Sequence, residues 1–444
     1  MAARDWRHQS QAGGLFHFEA CVTMNRFAIF AFVFFGCLLA IDCSVAVGKS
    51  TTAFQVSVTS AKQAGVPATV LMSDEVLVKT KTRIERGDTQ LKPALDKLIK
   101  EADAALRDGP YSVTDKQKVA PSGDKHDYAS YGRYWWPDSS KPNGLPYIRR
   151  DGKTNPDSQR DSHSDRSRLE SLGIHTETLG LAYYFTGEEK YAIKAAELLR
   201  VWFLNPATKM NPNLNFAQGR PGRSDGSEFG VLDGRMMTRA LEGSMLIAGS
   251  TAFSDAERVA LKAWVAEYLK WLTTSRLGTS AAAAKNNHGT FYDAQTMYFA
   301  LFCGNKAVAQ KIAQQAISKR VVAQIKPDGM MPEEMARTRP LFYSNYNLHA
   351  MFVLAYLAEK VDVDIWHANQ SRLRAGLDFL APYADSGKHW PTKTISKADR
   401  MKMFPILLMA GEAYPDGDYQ QFLEKLPVSK RKVRRENLAW PLMR

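Results

Sequence analysis

The chain has 444 residues, of which 59 are Lys or Arg and 46 are Asp or Glu, so its formal net charge is +13. Hydrophobic residues make up 45% of the chain and charged residues 24%, which is the composition of an ordinary globular protein. Wholesale disorder, a collagen-like fibre and a protein with many membrane spans are therefore excluded. The four cysteines are too few for a disulfide framework or a cysteine-rich zinc module.

The first predicted element is an export signal. An apolar run over residues 27–41 follows Arg26 and precedes small residues at 44–46, which is the order of a secretory signal. The run is too short to cross a bilayer comfortably, although an anchor that stays attached is the alternative. We predict a signal region over residues 1–46, with Met24 as the true start. The mature protein is then secreted or periplasmic, with no stable membrane association.

From about Gln90 onward, the spacing of apolar residues predicts amphipathic helices. They recur at intervals of three and four, whereas alternation of period two is scarce. Successive helices joined by short turns predict an all-α fold, an (α/α) toroid built as an incomplete barrel of about six or seven helical hairpins. We expect one domain over residues 47–428. The predicted helical segments are 91–106, 166–187, 189–204, 231–250, 254–274, 290–302, 305–324, 345–359, 365–383, 399–412 and 417–425.

Two long irregular stretches interrupt the helices, at residues 112–165 and 205–230. Both are rich in Pro, Gly, Asp and Ser, and the first also contains many aromatic side chains. Loops of this length inside a compact domain usually bind ligands or form lids, so we expect both to lie over a cleft. Aromatic rings offer flat faces to sugars and arginines offer cations to carboxylates, although the tryptophans could instead anchor the loop to the helices. The candidate substrate-binding residues in these loops are Tyr134, Trp135, Arg149, Gln218 and Arg220.

A polar trio opens an otherwise apolar helical segment at Asn286, Asn287 and His288. Backbone N–H groups point outward at a helix start, which suits an anionic ligand. We therefore take Asn287 and His288 as candidate catalytic residues and Asn286 as a candidate substrate-binding residue. The alternative is that an Asn only caps the helix and that His288 is a satisfied structural partner.

About fifty residues later, two arginines precede a tyrosine. Arg337 and Arg339 offer planar guanidinium groups that match a carboxylate at two points, and a nearby cation is expected to lower the pKa of the Tyr343 phenol. We take Arg337 and Tyr343 as candidate catalytic residues and Arg339 as a candidate substrate-binding residue. The alternative is a surface pair of arginines with a packing tyrosine.

Together, the two segments supply the groups needed for β-elimination across C4–C5 of a uronic acid. The C5 proton becomes labile once Arg337, Asn287 and His288 neutralise the adjacent carboxylate. A base then removes that proton and an acid protonates the departing O4. In mannuronate and glucuronate, H5 and O4 share a face, so Tyr343 could act as base and then acid. In guluronate they lie on opposite faces, which fits His288 as base and Tyr343 as acid.

Several segments resemble the alginate lyase superfamily. They are WLTTSRLGTSAAAAKNNHGTFYDAQ (271–295), RTRPLFYSN (337–345), FAQGRPG (216–222) and LRDGPYSVT (106–114). The resemblance covers roughly residues 90–385 and implies an α/α toroid. The superfamily contains poly-mannuronate lyases and lyases of β-1,4-glucuronan, so it implies a polysaccharide lyase.

Carried over by this resemblance, Asn287 is the carboxylate-neutralising Asn, His288 the catalytic His and Tyr343 the catalytic Tyr. An upstream Arg neutralises the carboxylate. In the mannuronate lyases that Arg precedes the Tyr by one residue more than Arg337 does, which leaves the choice between Arg337 and Arg339 open. The departure favours the branch that includes the glucuronan lyases.

The sequence therefore predicts a secreted lyase that cleaves a β-1,4-linked polyuronate, glucuronan or poly-mannuronate. Which polyuronate is cleaved, and whether from the ends or internally, stays open. We expect a monomer that binds anionic polysaccharide, with no cofactor, no metal and no nucleic acid. The basic residues at 429–444 are interpreted as a solvated tail.

Two other functions remain in view. The first is a glycoside hydrolase of the same toroid class, because paired carboxylates are available. The second is a non-catalytic protein that binds polyanions, for which charge and aromatic residues are the support. The carboxylates for a hydrolase are Glu228, Asp233, Asp328, Glu333 and Glu334.

Overall fold

Helices account for most of the computed structural model, which describes residues 68–395, 397 and 399–443. The predicted signal region at residues 1–46 lies outside the described residues. The all-α prediction is confirmed. The helices are α1 Asp74–Glu85, α2 Lys92–Ala105, α3 Arg166–Thr186, α4 Glu189–Leu199, α5 Arg235–Leu246, α6 Asp255–Thr274, α7 Arg276–Ala282, α8 Asn287–Phe302, α9 Lys306–Ala316, α10 Pro332–Met335, α11 Pro340–Glu359, α12 Ala368–Leu380, α13 Phe404–Ala413, α14 Gln420–Glu424 and α15 Val428–Arg431.

Local sequence signals set the ends of several helices. Ser254 and Glu257 form a reciprocal capping box at the start of α6, so that two backbone N–H groups with no partner inside the helix are satisfied. Gly187 ends α3 with a φ of 75°, a left-handed conformation that costs glycine little. Pro340 begins α11 at a position where its missing N–H is not needed.

The helices pack as neighbouring pairs around an apolar core. α3 lies against α5, and α8 lies against both α9 and α11. Gly180 permits the close approach of α3 to α5, because an added Cβ would lie 3.0 Å from the Gly243 Cα. Helices α8 and α11 are buried on nearly all sides, so they form the interior wall on which the site is built.

Four short strands organise the two long loops. β1 Ala129–Tyr131 pairs in parallel with β4 Phe216–Gly219, and β2 Trp135–Trp136 pairs antiparallel with β3 Ile148–Arg149. The first pair joins the two irregular stretches to each other. The pairing of β1 with β4 therefore anchors loop 112–165 to loop 205–230.

Some helices were not predicted, and one boundary was wrong. The sequence indicated helices only from about Gln90, whereas the structure begins with α1 and also contains the short helices α7 and α10. Helix α11 starts at Pro340 and not near Asn345, because proline fits the first helical turn. This shift places Tyr343 inside the helix.

The interpretation of residues 429–444 as a solvated tail fits Lys430 and Lys432, which are exposed, but is wrong for residues 435–443, which are buried or half-buried. Arg435 is only 9% exposed, and it forms ion pairs with Glu177 at 2.8 Å and Glu101 at 2.7 Å. Leu438 and Leu442 are buried in an apolar cluster with residues of α1 and α2. A run of basic residues is not solvated when acidic partners and apolar neighbours lie within reach of it.

Within the described residues, no helix has the length and apolarity needed to cross a bilayer.

Candidate active site

The start of α8 carries the first group of predicted residues. Asn286 is the N-cap, and its side-chain oxygen accepts the backbone N–H of His288 at 3.1 Å. Its side chain therefore has the capping role that the sequence left as the alternative. Asn287 is next in the chain and is only 1% exposed.

A buried carboxylate holds Asn287 in place. Glu334 in α10 accepts the backbone N–H of Asn287 at 2.6 Å, and its two oxygens lie 3.0 and 2.8 Å from the Asn287 Nδ2. Burial raises the pKa of Glu334 to about 7, against the opposing effects of the Asn287 hydrogen bonds and the charge of Arg337. The Asn287 amide is thus fixed by an acid that titrates near neutral pH.

The start of α11 carries the second group. Tyr343 lies in the first turn of the helix and is 5% exposed. The Arg337 guanidinium carbon lies 3.7 Å from the centre of the Tyr343 ring, which is a close cation–π contact. Arg339 instead lies over Phe342, at 4.6 Å. The structure therefore distinguishes the two arginines: Arg337 is the one that contacts Tyr343.

Asp151, from loop 112–165, forms an ion pair with the guanidinium of Arg337. The two groups approach to 2.7 Å, and the Thr338 hydroxyl donates to the same carboxylate at 2.9 Å. The predicted substrate-binding residue Arg149 also pairs with Asp151, at 2.8 Å. Burial alone would raise the pKa of Asp151, but the hydrogen bonds and charge of Arg337 lower it to about 2. The cation of Arg337 is thus balanced by an ionised carboxylate.

Tyr134 is hydrogen-bonded to Tyr343. Its hydroxyl lies 2.6 Å from the Tyr343 hydroxyl, so the loop aromatic predicted to face sugar is hydrogen-bonded to the phenol. Burial and Tyr134 raise the pKa of Tyr343 well above its usual value, and the lowering effect of Arg337 does not compensate. Arg337 therefore lowers this pKa as expected, but burial is the larger effect, so the net change is a rise and the phenol keeps its proton.

His288 sits against an aromatic ring. The centres of its imidazole and the Phe229 ring are 4.8 Å apart, and its Nδ1 is buried without a hydrogen-bond partner among the described residues. Burial and the charge of Arg337 lower the pKa of His288 to about 4. The imidazole is therefore neutral at neutral pH, as a general base requires. The effect of Arg337 also shows that these two candidates lie within electrostatic range of each other.

The remaining loop candidates are held by contacts inside the protein. Arg220 lies over the rings of Trp135 at 5.2 Å and Phe229 at 4.9 Å. Gln218 donates to Asp233 at 3.0 Å and has a φ of 48°, so it supports the turn after β4. Trp135 thus anchors the two loops to each other, and Arg220 links it to the ring beside His288.

The chain is similar to known proteins in sequence and in fold. The family described as Alginate lyase matches residues 112–390. The chain belongs to the alginate lyase family. Its polypeptide is 38% identical to an alginate lyase from Bacteroides ovatus of known structure, with a TM-score of 0.80, over 84% of this chain and 99% of that one. The resemblance seen in the sequence is confirmed.

More distant alginate lyases share the fold. Alginate lyase A1-III from Sphingomonas species A1 is 18% identical, with a TM-score of 0.50, over 81% of this chain and 93% of that one. A histidine-to-alanine variant of alginate lyase A1-III, in complex with a tetrasaccharide, is also 18% identical, with a TM-score of 0.52, over 81% and 92%. No curated protein matches the sequence. The protein is a polysaccharide lyase with an (α/α) toroid fold.

Two of the carboxylates considered for a hydrolase, Asp233 and Glu334, have other partners in this alginate lyase family member. Asp233 accepts hydrogen bonds from Tyr128 and Ser130, each at 3.0 Å, and pairs with Arg166. Glu334 holds Asn287, as described above. Neither is positioned as a free acid or base, which agrees with membership of a lyase family.

Sequence reasoning missed the partners of the candidate residues. Asp151 and Phe229 were not singled out, and Glu334 was considered only for hydrolysis. A signal for Glu334 existed, since it precedes Arg337 by three residues and one helical turn brings such residues together. Within residues 68–395, 397 and 399–443 no cluster of three or more metal-binding side chains occurs. A cavity of about 420 Å³ between α2, α3 and the C-terminal residues contains none of the site residues.

Proposed function

We propose that the protein cleaves a 1,4-linked polyuronate by β-elimination. The substrate class is that of alginate or glucuronan: similarity to alginate lyases of known structure supports alginate, and the spacing of Arg337 and Tyr343 favours glucuronan. Asn287, His288 and Arg337 neutralise the uronate carboxylate, and Tyr343 acts on the glycosidic oxygen. The observation that carries this proposal is the contact of Arg337 with the Tyr343 ring, while its charge also acts on His288. Arg339 makes no comparable contact with Tyr343, so Arg337 has the catalytic role.

The opposite pKa changes of two residues support a division of labour. His288 has a lowered pKa and is neutral, so it can accept the C5 proton. Tyr343 has a raised pKa and keeps its proton, so it can donate to the departing O4. Groups whose environments separate their pKa values in this way typically serve as base and acid. This assignment suits a uronate with H5 and O4 on opposite faces, as in guluronate.

A second route is supported by the pair of tyrosines. For mannuronate or glucuronate, one residue on the shared face must remove H5 and then protonate O4. This route needs a Tyr343 phenolate, so the phenol proton must first pass to solvent by way of the Tyr134 hydroxyl, which lies 2.6 Å away. Burial and Tyr134 raise the pKa of Tyr343 and oppose that step in the free protein. Tyr343 then acts as both base and acid, with His288 on the carboxylate.

The wider setting follows the sequence predictions. We propose that residues 1–46 are removed during export, and that a secreted or periplasmic monomer meets the polymer outside the cytoplasm. The formal net charge of +13 favours a polyanionic substrate and predicts a rate that falls with added salt. Nucleic acid is not expected as a partner of an exported protein.

The test is to incubate the purified protein with glucuronan, poly-mannuronate, poly-guluronate and hyaluronan, and to follow the ultraviolet absorbance of the unsaturated uronate. We expect activity on at least one of the first three. His288→Ala and Tyr343→Phe should abolish it, whereas His389→Ala, at an exposed position, should not. Full activity of either site variant would refute the proposed mechanism. Absence of the chromophore with every polymer would refute the proposed substrate class.

A further inference from the structure

Glu334 is a buried acid that contacts the first residue of α8. Its carboxylate is fully buried and accepts both the backbone and the side-chain N–H groups of Asn287, the residue proposed to bind the uronate carboxylate. We propose that Glu334 takes up a proton from solvent when a uronate binds at Asn287, so that the substrate carboxylate is received next to a neutral acid. This inference rests on the proposed function and makes Glu334 a positioning residue that acts through Asn287.

Hydrogen-bond geometry brings the two carboxylates close. Both Glu334 oxygens lie within 3.0 Å of the same Nδ2 atom, so one N–H shared between them satisfies both. A uronate oxygen on the second N–H of that amide would lie about 5 Å from the nearest Glu334 oxygen, given usual hydrogen-bond lengths and angles. Two carboxylates at such a distance in a buried site do not both stay ionised at low cost, which is the condition under which one of them binds a proton.

The charges around Glu334 leave room for this uptake. From its own segment, Arg337 favours the ionised form and Glu333 opposes it, while from α8 the N–H groups of Asn287 favour ionisation. Arg337 is also paired with Asp151, so much of its positive charge is already balanced. Burial outweighs the favourable contacts and raises the pKa of Glu334 to about 7.

The expected amount of uptake follows from the distance. A second negative charge at about 5 Å, with an effective dielectric constant of about 20, raises the pKa of Glu334 by about two, to about 9. At pH 8 the fraction protonated then rises from about 0.1 to about 0.9 on binding, an uptake of about 0.8 proton. At pH 6 Glu334 is protonated before binding, so its uptake is about 0.1 proton.

The experiment is calorimetry of binding in buffers of different ionisation enthalpy. The Tyr343→Phe protein, which cannot complete turnover, is titrated with mannuronate and guluronate tetrasaccharides at pH 8 and pH 6. We expect about 0.8 proton taken up at pH 8 and about 0.1 at pH 6. Adding Glu334→Gln should abolish the uptake at pH 8. Adding Glu267→Gln, at an exposed acid that is not among the groups acting on Glu334, should leave it unchanged.

Three results would overturn the inference. They are binding without proton uptake at pH 8, uptake that persists in Glu334→Gln, and uptake at pH 6 but not at pH 8. The last would assign the proton to His288, whose pKa is about 4 before binding. In each case binding itself is seen, so the proposed function survives. Binding of neither these tetrasaccharides nor a glucuronan tetrasaccharide would refute the proposed function, and this inference with it. If Glu334→Gln does not bind, the comparison of pH 8 with pH 6 in the Tyr343→Phe protein decides.

Discussion

The neutral state of His288 leads to a sharp prediction about pH. Its pKa is lowered to about 4, first by burial and then by the charge of Arg337. The ratio kcat/KM reports ionisations of the free enzyme, so it should show no loss of activity due to His288 between pH 7 and pH 5. Phe229 supplies part of the burial, because its ring lies 4.8 Å from the imidazole.

The pH dependence of kcat/KM distinguishes His288 with its lowered pKa from a histidine with the usual pKa. With a pKa of about 4, about 90% of His288 is neutral at pH 5, whereas at an ordinary pKa of about 6.5 only about 3% would be. We therefore expect kcat/KM at pH 5 to stay within about 10% of its value at pH 6.5, or above it. An ordinary imidazole acting as base would give a fall of about sixteenfold over the same range. The assay is the initial rate of chromophore formation at substrate concentrations well below KM.

A variant tests the cause. Phe229→Ala admits water to His288 and should raise its pKa toward the usual value, so kcat/KM at pH 5 should fall relative to pH 6.5 on substrates for which His288 is the base. Phe342→Ala, which removes a ring next to Tyr343, should leave this ratio as in the wild type. A reversible loss of more than about fivefold in the wild-type ratio would refute the reasoning. Reversibility is checked by returning enzyme held at pH 5 to pH 6.5 before assay.

Three further changes test the packing and the site. Gly243→Ala places a methyl group against the backbone of α3, so it should lower the free energy of unfolding by about 1–3 kcal/mol in chemical denaturation. Gly411→Ala adds a methyl group with nothing within 4 Å, so it should stabilise α13 by about 0.5–1 kcal/mol. Arg320→Met leaves a buried acid unpaired and should cost about 3–5 kcal/mol, while Lys92→Met, in an exposed pair, should cost less than about 1 kcal/mol. Tyr134→Phe removes one hydrogen bond to the phenol proposed to be catalytic, so kcat should fall by about 2–12-fold, while the melting temperature should fall by no more than about 4 °C.

The sequence predicted the long amphipathic helices well, because their pattern is intrinsic. Helix α2 follows the apolar spacing closely, and α6 begins with a recognisable capping box. Helix α3 is buried on most sides and has little amphipathic pattern, but it ends at the recognisable Gly187. Helix α7 has only 7 residues and α10 only 4, which is too short for a period of 3.6 to be seen. The burial of the C-terminal residues depends on Glu101 and Glu177, which lie far away along the chain. No local pattern can show such a partner.

The candidate site shows the same division between residues and environments. The residue types at 287, 288, 337 and 343 could be selected, since elimination needs an amide, an imidazole, a guanidinium and a phenol. Their environments could not, because each depends on a tertiary neighbour. Asp151 is 186 residues from Arg337 along the chain, yet its carboxylate balances that cation. The pKa of Tyr343 is raised mainly by burial, a tertiary effect that exceeds the lowering expected from Arg337.

The acid and base behaviour of the site therefore comes from packing as much as from the catalytic side chains. The Arg337 guanidinium lowers the pKa of His288 and opposes the rise in the pKa of Tyr343. Its own charge is balanced by Asp151. If a uronate carboxylate displaced Asp151, negative charge would remain at Arg337 and the pKa values of both groups would be preserved. If Asp151 stayed, the substrate would bring a second negative charge, and Glu334 would have to take up a proton from solvent to compensate for it. The calorimetric uptake at pH 8 distinguishes these two cases, so the loop carboxylate and the buried acid are tested by one measurement.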